Sequence, residues 1–240
     1  MNTSNREAAR PVSQRGPALG PLALISLLLL LAGLAMSVAL GGVPPSPYDS
    51  ATAISAYFAN QSDAVMAGAF FLFGSSVPLA IYAATVSSRL RSLGVTAPGA
   101  TISLVGGVLC SAMVALSALV SWTLAQPSTR TGGLALVRAL HDLSFLTGGV
   151  AFAVFLGLLV AGVAVPGLLV GLLPRVVAWP GLVIAAVCEV STFSLLWEPL
   201  TSLLPIARFP GLVWLVVAGF LLPVTRRPRN REAAAQGQGA

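Results

Sequence analysis

The chain has 240 residues, of which 56% are hydrophobic and only 8% are charged. Soluble domains carry roughly 25% charged residues, so this composition excludes an ordinary soluble protein and indicates an integral membrane protein. The net charge of +6 does not predict nucleic-acid binding, because the Arg residues lie in both terminal segments and in short loops, where membrane orientation explains them.

Six apolar segments are long enough to cross a bilayer, since about 18 or more apolar residues predict a spanning helix. In chain order the predicted spans are residues 20–40, 64–86, 100–124, 143–165, 177–198 and 203–224. The sequence therefore predicts an all-α fold, a polytopic membrane protein with a six-transmembrane-helix bundle over residues 18–225. Residues 1–17 and 226–240 are rich in small and polar residues and are predicted to be disordered cytoplasmic tails.

The first apolar segment has a second interpretation, a cleaved signal peptide. Arg15 precedes it, and residues 37–39 (SVA) resemble the small-residue pattern before a cleavage site. Its apolar run of about 20 residues exceeds the usual 7 to 15 of a signal peptide, so we favour a retained helix.

The distribution of Arg predicts the orientation of the spans. Six spans place both termini on one side, and ten of the 13 Arg residues lie on that side. The opposite side has Arg130, Arg138 and Arg208. The positive-inside rule therefore predicts cytoplasmic termini.

The first external segment, residues 41–63, begins with a Pro-rich stretch that must be extended or turned. A short amphipathic helix is predicted after it, with Asp49 or Ser50 as its cap and an apolar stripe of Ile54, Tyr57 and Phe58. The stripe is expected to lie on the bundle or at headgroup level. A lid over an outward-facing cavity is the alternative.

Five polar residues are predicted to gather near the external face. They are Arg138, His141, Asp142, Glu198 and Arg208. Arg138 and Asp142 are spaced to pair on one helix face. Arg208 is expected to extend outward to Glu198 or Asp142, and an inward contact with Glu189 is the alternative. No metal site and no cofactor are predicted, because zinc needs three or four ligands, whereas the single histidine lies at the rim and the two cysteines near mid-depth.

Glu189 is the acidic residue that the sequence places near the middle of the bilayer. Trp179 and Trp197 bracket its span, roughly 15 Å and 12 Å away at 1.5 Å per residue. Small and polar residues share its helix face, which predicts that Glu189 points into the bundle. Because no Arg or His is expected at this depth, desolvation favours the protonated acid.

A polar pocket is predicted around Glu189 between four spans. Its other members are Ser75, Ser76, Ser111 and Trp214, and Pro78 frees a backbone carbonyl near the two adjacent serines. Such a pocket would bind a ligand or carry a proton. The alternative is that Glu189 makes an interhelical hydrogen bond that only fixes packing.

The chain has no H-E-x-x-H, G-x-S-x-G, P-loop or C-x-x-C motif. The favoured function is non-enzymatic: a membrane protein that binds a small or lipidic ligand, or a partner membrane protein, at Glu189. The alternatives are a proton-coupled small-molecule transporter using Glu189 and an intramembrane enzyme.

Three short segments carry a resemblance to a known family: residues 53–58 (AISAYF), 140–143 (LHDL) and 173–182 (LPRVVAWPGL). Over residues 45–225 the chain resembles a family of six-helix bacterial membrane proteins that is frequent in actinobacteria and is classed as a domain of unknown function. The resemblance implies the six-helix topology and a bacterial plasma membrane. It implies no activity and no functional residue.

Overall fold

The computed structural model describes residues 16–225, except for the side chain of Arg130. Within this range every regular element is helical, which confirms the predicted all-α fold. The predicted tails, residues 1–17 and 226–240, lie outside the described residues apart from Gly16 and Pro17.

Nine α-helices form the described part of the chain. They are α1 (Leu19–Gly41), α2 (Ala51–Asn60), α3 (Ser62–Ser92), α4 (Gly99–Leu124), α5 (Pro127–Thr131), α6 (Leu134–Phe145), α7 (Phe152–Leu169), α8 (Arg175–Val190) and α9 (Leu203–Leu221). A π-helical segment, Leu146–Ala151, joins α6 to α7, while 3-10 segments extend α8 over Ser191–Leu195 and precede α9 over Glu198–Ser202. Six helical stretches are long and apolar enough to cross a membrane, as predicted.

Several boundaries differ from the sequence prediction: the second span runs to Ser92 rather than to residue 86, and the fourth and fifth spans also differ in helix type. The fourth span begins at Leu134 and runs to Leu169, because the helix predicted in the external loop continues through the π-helical segment into α7. The fifth span is α-helical only to Val190 and then narrows to a 3-10 helix. Ser191 lies at this change, and its hydroxyl donates to the carbonyl of Cys188 at 2.5 Å, a local bond that competes with regular helix geometry.

The six spans form a closed ring in which each packs beside the next and α9 returns to α1. At one end of the ring Gly20 of α1 lies against the ring of Phe220 of α9. We call this the terminal end, because the chain enters and leaves the bundle there. The opposite end carries α2 and is called the α2 end.

Glycine residues allow the backbones of α4 and α7 to come into direct contact. A Cβ on Gly162 would lie 2.4 Å from the backbone nitrogen of Ser103, and one on Gly106 would lie 2.5 Å from that of Leu159. No other residue fits there without a shift of one helix. Small residues have this role in membrane bundles, where close packing replaces the hydrophobic driving force.

The short helix α2 packs its apolar stripe onto the α2 end. Ile54 and Phe58 are buried in a cluster with Val65, Leu124 and Val137, so the predicted contact with the bundle is confirmed. The hydroxyl of Ser50 accepts from the backbone N–H of Ala53 at 3.2 Å, which confirms Ser50 as the cap.

Candidate functional site

The structure places Glu189 on the outside of the bundle. Its side chain is exposed, and its Oε1 lies 3.0 Å from the position that a Cβ on Gly157 of α7 would occupy. The prediction that Glu189 points into the bundle is therefore wrong. The reason is the rotation of α8: Ala185 and Cys188 are its buried residues at this level, and Glu189 follows Cys188 by about 100° around the helix.

The three serines of the predicted pocket are packing residues. The hydroxyls of Ser75 and Ser76 each donate at 2.6 Å to a carbonyl of their own helix, and Ser111 donates to the carbonyl of Ser76 at 2.7 Å. The last of these bonds joins α4 to α3. The serines are thus not brought together with Glu189.

Trp214 also lies apart from Glu189. Its indole N–H donates to the carbonyl of Val177 at 2.8 Å, and its ring fills the space beside Gly181. Val177 precedes Glu189 by twelve residues, or about 18 Å along α8. Trp214 therefore joins α9 to α8 near the terminal end, and the pocket predicted around Glu189 is not assembled from these residues.

The predicted external cluster divides into separate parts. The Nε of Arg138 donates to both carboxylate oxygens of Asp142, at 3.1 Å and 3.0 Å, which confirms that pair. The other guanidinium nitrogens of Arg138 donate to the backbone carbonyls of Asp49, at 2.8 Å, and Pro47. Arg138 thus holds the Pro-rich segment against α6. Glu198 is exposed at the start of its 3-10 helix.

Arg208 turns toward the interior of the bundle. Its guanidinium carbon lies 5.0 Å from the centroid of the Phe152 ring on α7. Within residues 16–225 it has no hydrogen bond and no ion pair. The expectation that Arg208 extends outward to Glu198 or Asp142 is therefore wrong. Leu204, Gly211 and Leu212, at i−4, i+3 and i+4 from Arg208, are all buried, so this side of α9 faces the ring interior.

Two adjoining cavities meet at Arg208. The first, about 280 Å³, lies between α1, α2, α3 and α6, and the second, about 470 Å³, lies between α1, α4, the π-helical segment and α9. Both are lined by Leu34, Leu72, Ser144, Phe145 and Arg208. We call the two together the Arg208 cavity.

A cluster of hydroxyl groups forms one wall of the Arg208 cavity. The Oγ of Ser144 on α6 lies 2.8 Å from that of Ser121 and 3.2 Å from that of Ser117, both on α4. Ser117 also donates to the Ser144 carbonyl at 2.8 Å. Sequence reasoning missed these serines. The spacing of Ser117 and Ser121, one helical turn apart on an apolar helix, is the signal that would have found two of them.

The helix that carries Ser144 becomes π-helical directly after it. Gly148, in that segment, leaves room for Ser117, since a Cβ on it would lie 2.3 Å from the Ser117 Oγ. Single turns of π-helix inside α-helices are frequent at functional sites, because the widened turn re-aims side chains.

Two buried polar atoms in the wall of the first cavity have no hydrogen-bond partner among the described residues. They are the Nε2 of His141 and the hydroxyl oxygen of Tyr57. His141 is only 8% exposed, and its ring meets the ring of Phe58 edge-on at 5.5 Å. Buried polar atoms are nearly always hydrogen-bonded, so two unpartnered atoms on residues that line one cavity indicate a site for a polar group.

Helix α2 and the Pro-rich segment cover the Arg208 cavity at the α2 end. Pro44, Pro45, Tyr57 and Phe58 all line the first cavity. The apolar stripe of α2 therefore packs on the bundle and also roofs a cavity, so the two interpretations of the stripe are compatible.

The described residues contain no group of three or more His, Cys, Asp or Glu side chains placed to hold a metal ion. Cys110 and Cys188 are buried free thiols. No family model, no curated protein and no solved structure matches the chain. The geometry of the Arg208 cavity is therefore the basis for assigning a function.

Proposed function

We propose that this chain is a non-enzymatic integral membrane protein that binds a small or lipidic ligand in the Arg208 cavity. One observation carries the proposal: two residues of the cavity wall, His141 and Tyr57, each have a buried polar atom, Nε2 and the hydroxyl, without a hydrogen-bond partner in the described part of the chain. Leaving such an atom unsatisfied costs about 1 to 3 kcal/mol. A ligand that bonds to them recovers this free energy.

The size and lining of the cavity support the same function. Ligand sites are concave, mostly apolar and about 300 to 1,000 Å³ in volume, with a few converging polar groups. The two parts of the Arg208 cavity have volumes of about 280 and 470 Å³, so the first lies just below this range and the second lies within it. Leu30, Leu34, Val65 and Leu72 supply apolar wall.

The proposal replaces Glu189 by Arg208 and its neighbours as the centre of the site. Glu189 lines neither part of the Arg208 cavity. The transporter hypothesis depended on that carboxyl, and no contact of Glu189 favours it.

We further propose that the protein lies in a bacterial plasma membrane with both termini cytoplasmic and the Arg208 cavity near the external face. The support is the excess of Arg on the side of the termini, together with the resemblance of residues 53–58, 140–143 and 173–182 to the six-helix bacterial family.

Photo-crosslinking tests the proposed site. The full-length protein is reconstituted in phosphatidylcholine vesicles. The probes are palmitic acid and hexadecanol, and each carries a diazirine group in its alkyl chain. We expect crosslinks in residues 30–37 and 204–209, which line the cavity. Leu72→Trp fills the shared part of the cavity and should abolish these crosslinks. Leu28→Trp, on the exposed face of α1, is the matched control and should keep them.

Leu34→Trp repeats the test from α1 if Leu72→Trp unfolds, because Leu34 lines both parts of the cavity and is 46% exposed. Equal labelling of wild type, the folded filling variant and Leu28→Trp would overturn the proposal. So would labelling confined to lipid-facing residues.

A further inference from the structure

We infer that the ligand of the Arg208 cavity is an amphiphile with one anionic group, and that Arg208 is its counter-ion. The inference rests on the proposed function, and it names the class of ligand and the residue that selects it. No motif predicts it, because the sequence places Arg208 with the external acids.

Arg208 is a cation in the interior of the bundle with no anion beside it. A guanidinium keeps its charge in proteins, and a charge at membrane depth is strongly disfavoured unless it is paired. The ring of Phe152 at 5.0 Å offers a cation–π contact, which leaves the N–H donors of the guanidinium available. These donors match the oxygens of a carboxylate or a phosphate.

The carboxylates of the described residues do not serve as this anion. Asp142 binds Arg138, and Asp49 accepts from the backbone N–H of Ser46 at 2.8 Å. Glu189 faces outward beside α7, while Asp63 and Glu198 are exposed at the starts of α3 and of the sixth span. The anion that pairs with Arg208 is therefore supplied by a ligand.

The hydroxyl cluster adds hydrogen-bonding capacity to the same wall. Ser144 lines both parts of the cavity together with Arg208, and its hydroxyl is within hydrogen-bond distance of those of Ser117 and Ser121. A hydroxyl donates and accepts at once, so rotation of these groups can turn a proton toward an oxyanion. Arg208 and the serines together provide an anion-binding wall.

The rest of the lining is apolar, which favours an amphiphile over a small free anion. Leu34, Leu72 and Phe145 border both parts of the cavity, while Leu204 and Phe209 border the second. An inorganic anion would leave this surface without a partner. An alkyl chain would cover it, with a gain for each buried methylene.

Competition between ligands of equal chain length tests the inference. Palmitate, hexadecyl phosphate, hexadecanol and hexadecylamine compete with the diazirine palmitic acid for the cavity crosslinks, at an alkaline pH where the carboxylate is ionised. We expect the two anions to compete at about tenfold or more lower concentration than hexadecanol, and hexadecylamine to compete least. Acetate and inorganic phosphate are included as anions without a chain.

Three substitutions assign the preference to Arg208. Arg208→Met should bind palmitate no more tightly than hexadecanol, because the cation is lost. Arg208→Lys should keep part of the preference, since it retains the charge without the planar donor pair. Arg91→Gln, at an exposed Arg near the terminal end, is the control and should leave the preference unchanged.

The outcomes separate this inference from the proposed function. If hexadecanol competes as well as palmitate in the wild type, or if Arg208→Met keeps the anion preference, the inference is wrong while binding in the cavity stands. Competition by acetate or inorganic phosphate at the same concentrations as palmitate would show that the ligand needs no alkyl chain, and the inference of an amphiphile would be wrong. If the wild type shows no cavity labelling, or if Leu72→Trp does not remove that labelling, the proposed function itself is overturned. A cooperative thermal unfolding transition shows that each variant is folded. If Arg208→Met does not fold, Arg208→Lys is used in its place, and its anion preference should be weaker than that of the wild type.

Discussion

The two ends of the bundle use polar side chains differently. Toward the terminal end, buried polar groups are paired with backbone carbonyls of neighbouring helices. Tyr82 donates to Leu215 at 3.2 Å, Ser87 to Ala100 at 2.6 Å and Trp214 to Val177 at 2.8 Å. Each of these bonds joins two helices, so the polar groups at this end hold the fold together.

Toward the α2 end, three polar groups on residues that line the Arg208 cavity lack such partners. Arg208, the Nε2 of His141 and the hydroxyl of Tyr57 have no hydrogen-bond partner within residues 16–225. Unpaired polar groups at membrane depth are unfavourable for the fold alone. The contrast therefore separates structural polar groups from those available to a ligand, which composition and depth do not distinguish.

The largest effect is expected where the terminal end is packed most closely. Gly162→Ala should lower the free energy of unfolding by about 1 to 3 kcal/mol, because its Cβ would lie 2.4 Å from the backbone of Ser103. Gly74→Ala is the matched control, since the nearest atom to its Cβ is the tip of Leu29 at 3.9 Å. Chemical unfolding in detergent measures both, and equal values would contradict close contact of α4 with α7.

A pair of tyrosines tests the comparison directly. Tyr82→Phe removes a buried hydrogen bond to Leu215 and should lower the free energy of unfolding by about 1 kcal/mol. Tyr57→Phe removes a hydroxyl that has no partner among the described residues, so we expect no loss of stability. The measurement is again unfolding in detergent, without added amphiphile. Similar losses in both variants would show that the Tyr57 hydroxyl is structural.

A smaller effect is expected at the contacts that Arg138 makes between α6 and the Pro-rich segment. Arg138→Gln removes the pair with Asp142 and the bonds to the carbonyls of Pro47 and Asp49. Partly exposed pairs of this spacing contribute about 0.2 to 0.5 kcal/mol, so global stability should change little. Amide hydrogen exchange should rise in residues 45–60 and stay unchanged at Tyr82. A uniform rise in hydrogen exchange along the chain would contradict a local role for the Arg138 contacts.

The smallest effect is expected at Glu189. Glu189→Gln should leave the free energy of unfolding within about 0.5 kcal/mol of wild type, because an exposed side chain faces the same surroundings before and after the helices separate. Thermal unfolding in detergent checks this. A loss of unfolding free energy as large as that of Tyr82→Phe would indicate that Glu189 has a buried partner inside the bundle.

The spans and one ion pair were predictable because they depend on local sequence. Spanning helices follow from the length of apolar segments. Arg138 and Asp142 are four residues apart in one helix, so their contact needs no knowledge of the fold. Ser50 as the cap of α2 is predictable for the same reason.

The direction of single side chains on the spans was not predictable in the same way. Lipid is as apolar as the bundle interior, so the outward faces of α8 and α9 carry apolar residues just as the inward faces do. Amphipathic patterning, which orients a soluble helix, is thus weak. Glu189 and Arg208 were both assigned the wrong direction for this reason.

The sequence by itself determined that the chain has six helices long and apolar enough to cross a membrane and about where in the chain they lie, because apolar length is a property of short segments. The tertiary structure alone decided that Glu189 faces outward, that Arg208 faces inward, and that Ser117, Ser121, Ser144, His141 and Tyr57 meet around one cavity. These residues come from five helices, α2, α4, α6, α8 and α9. Their meeting depends on the rotation of each helix in the ring, which interhelical packing sets.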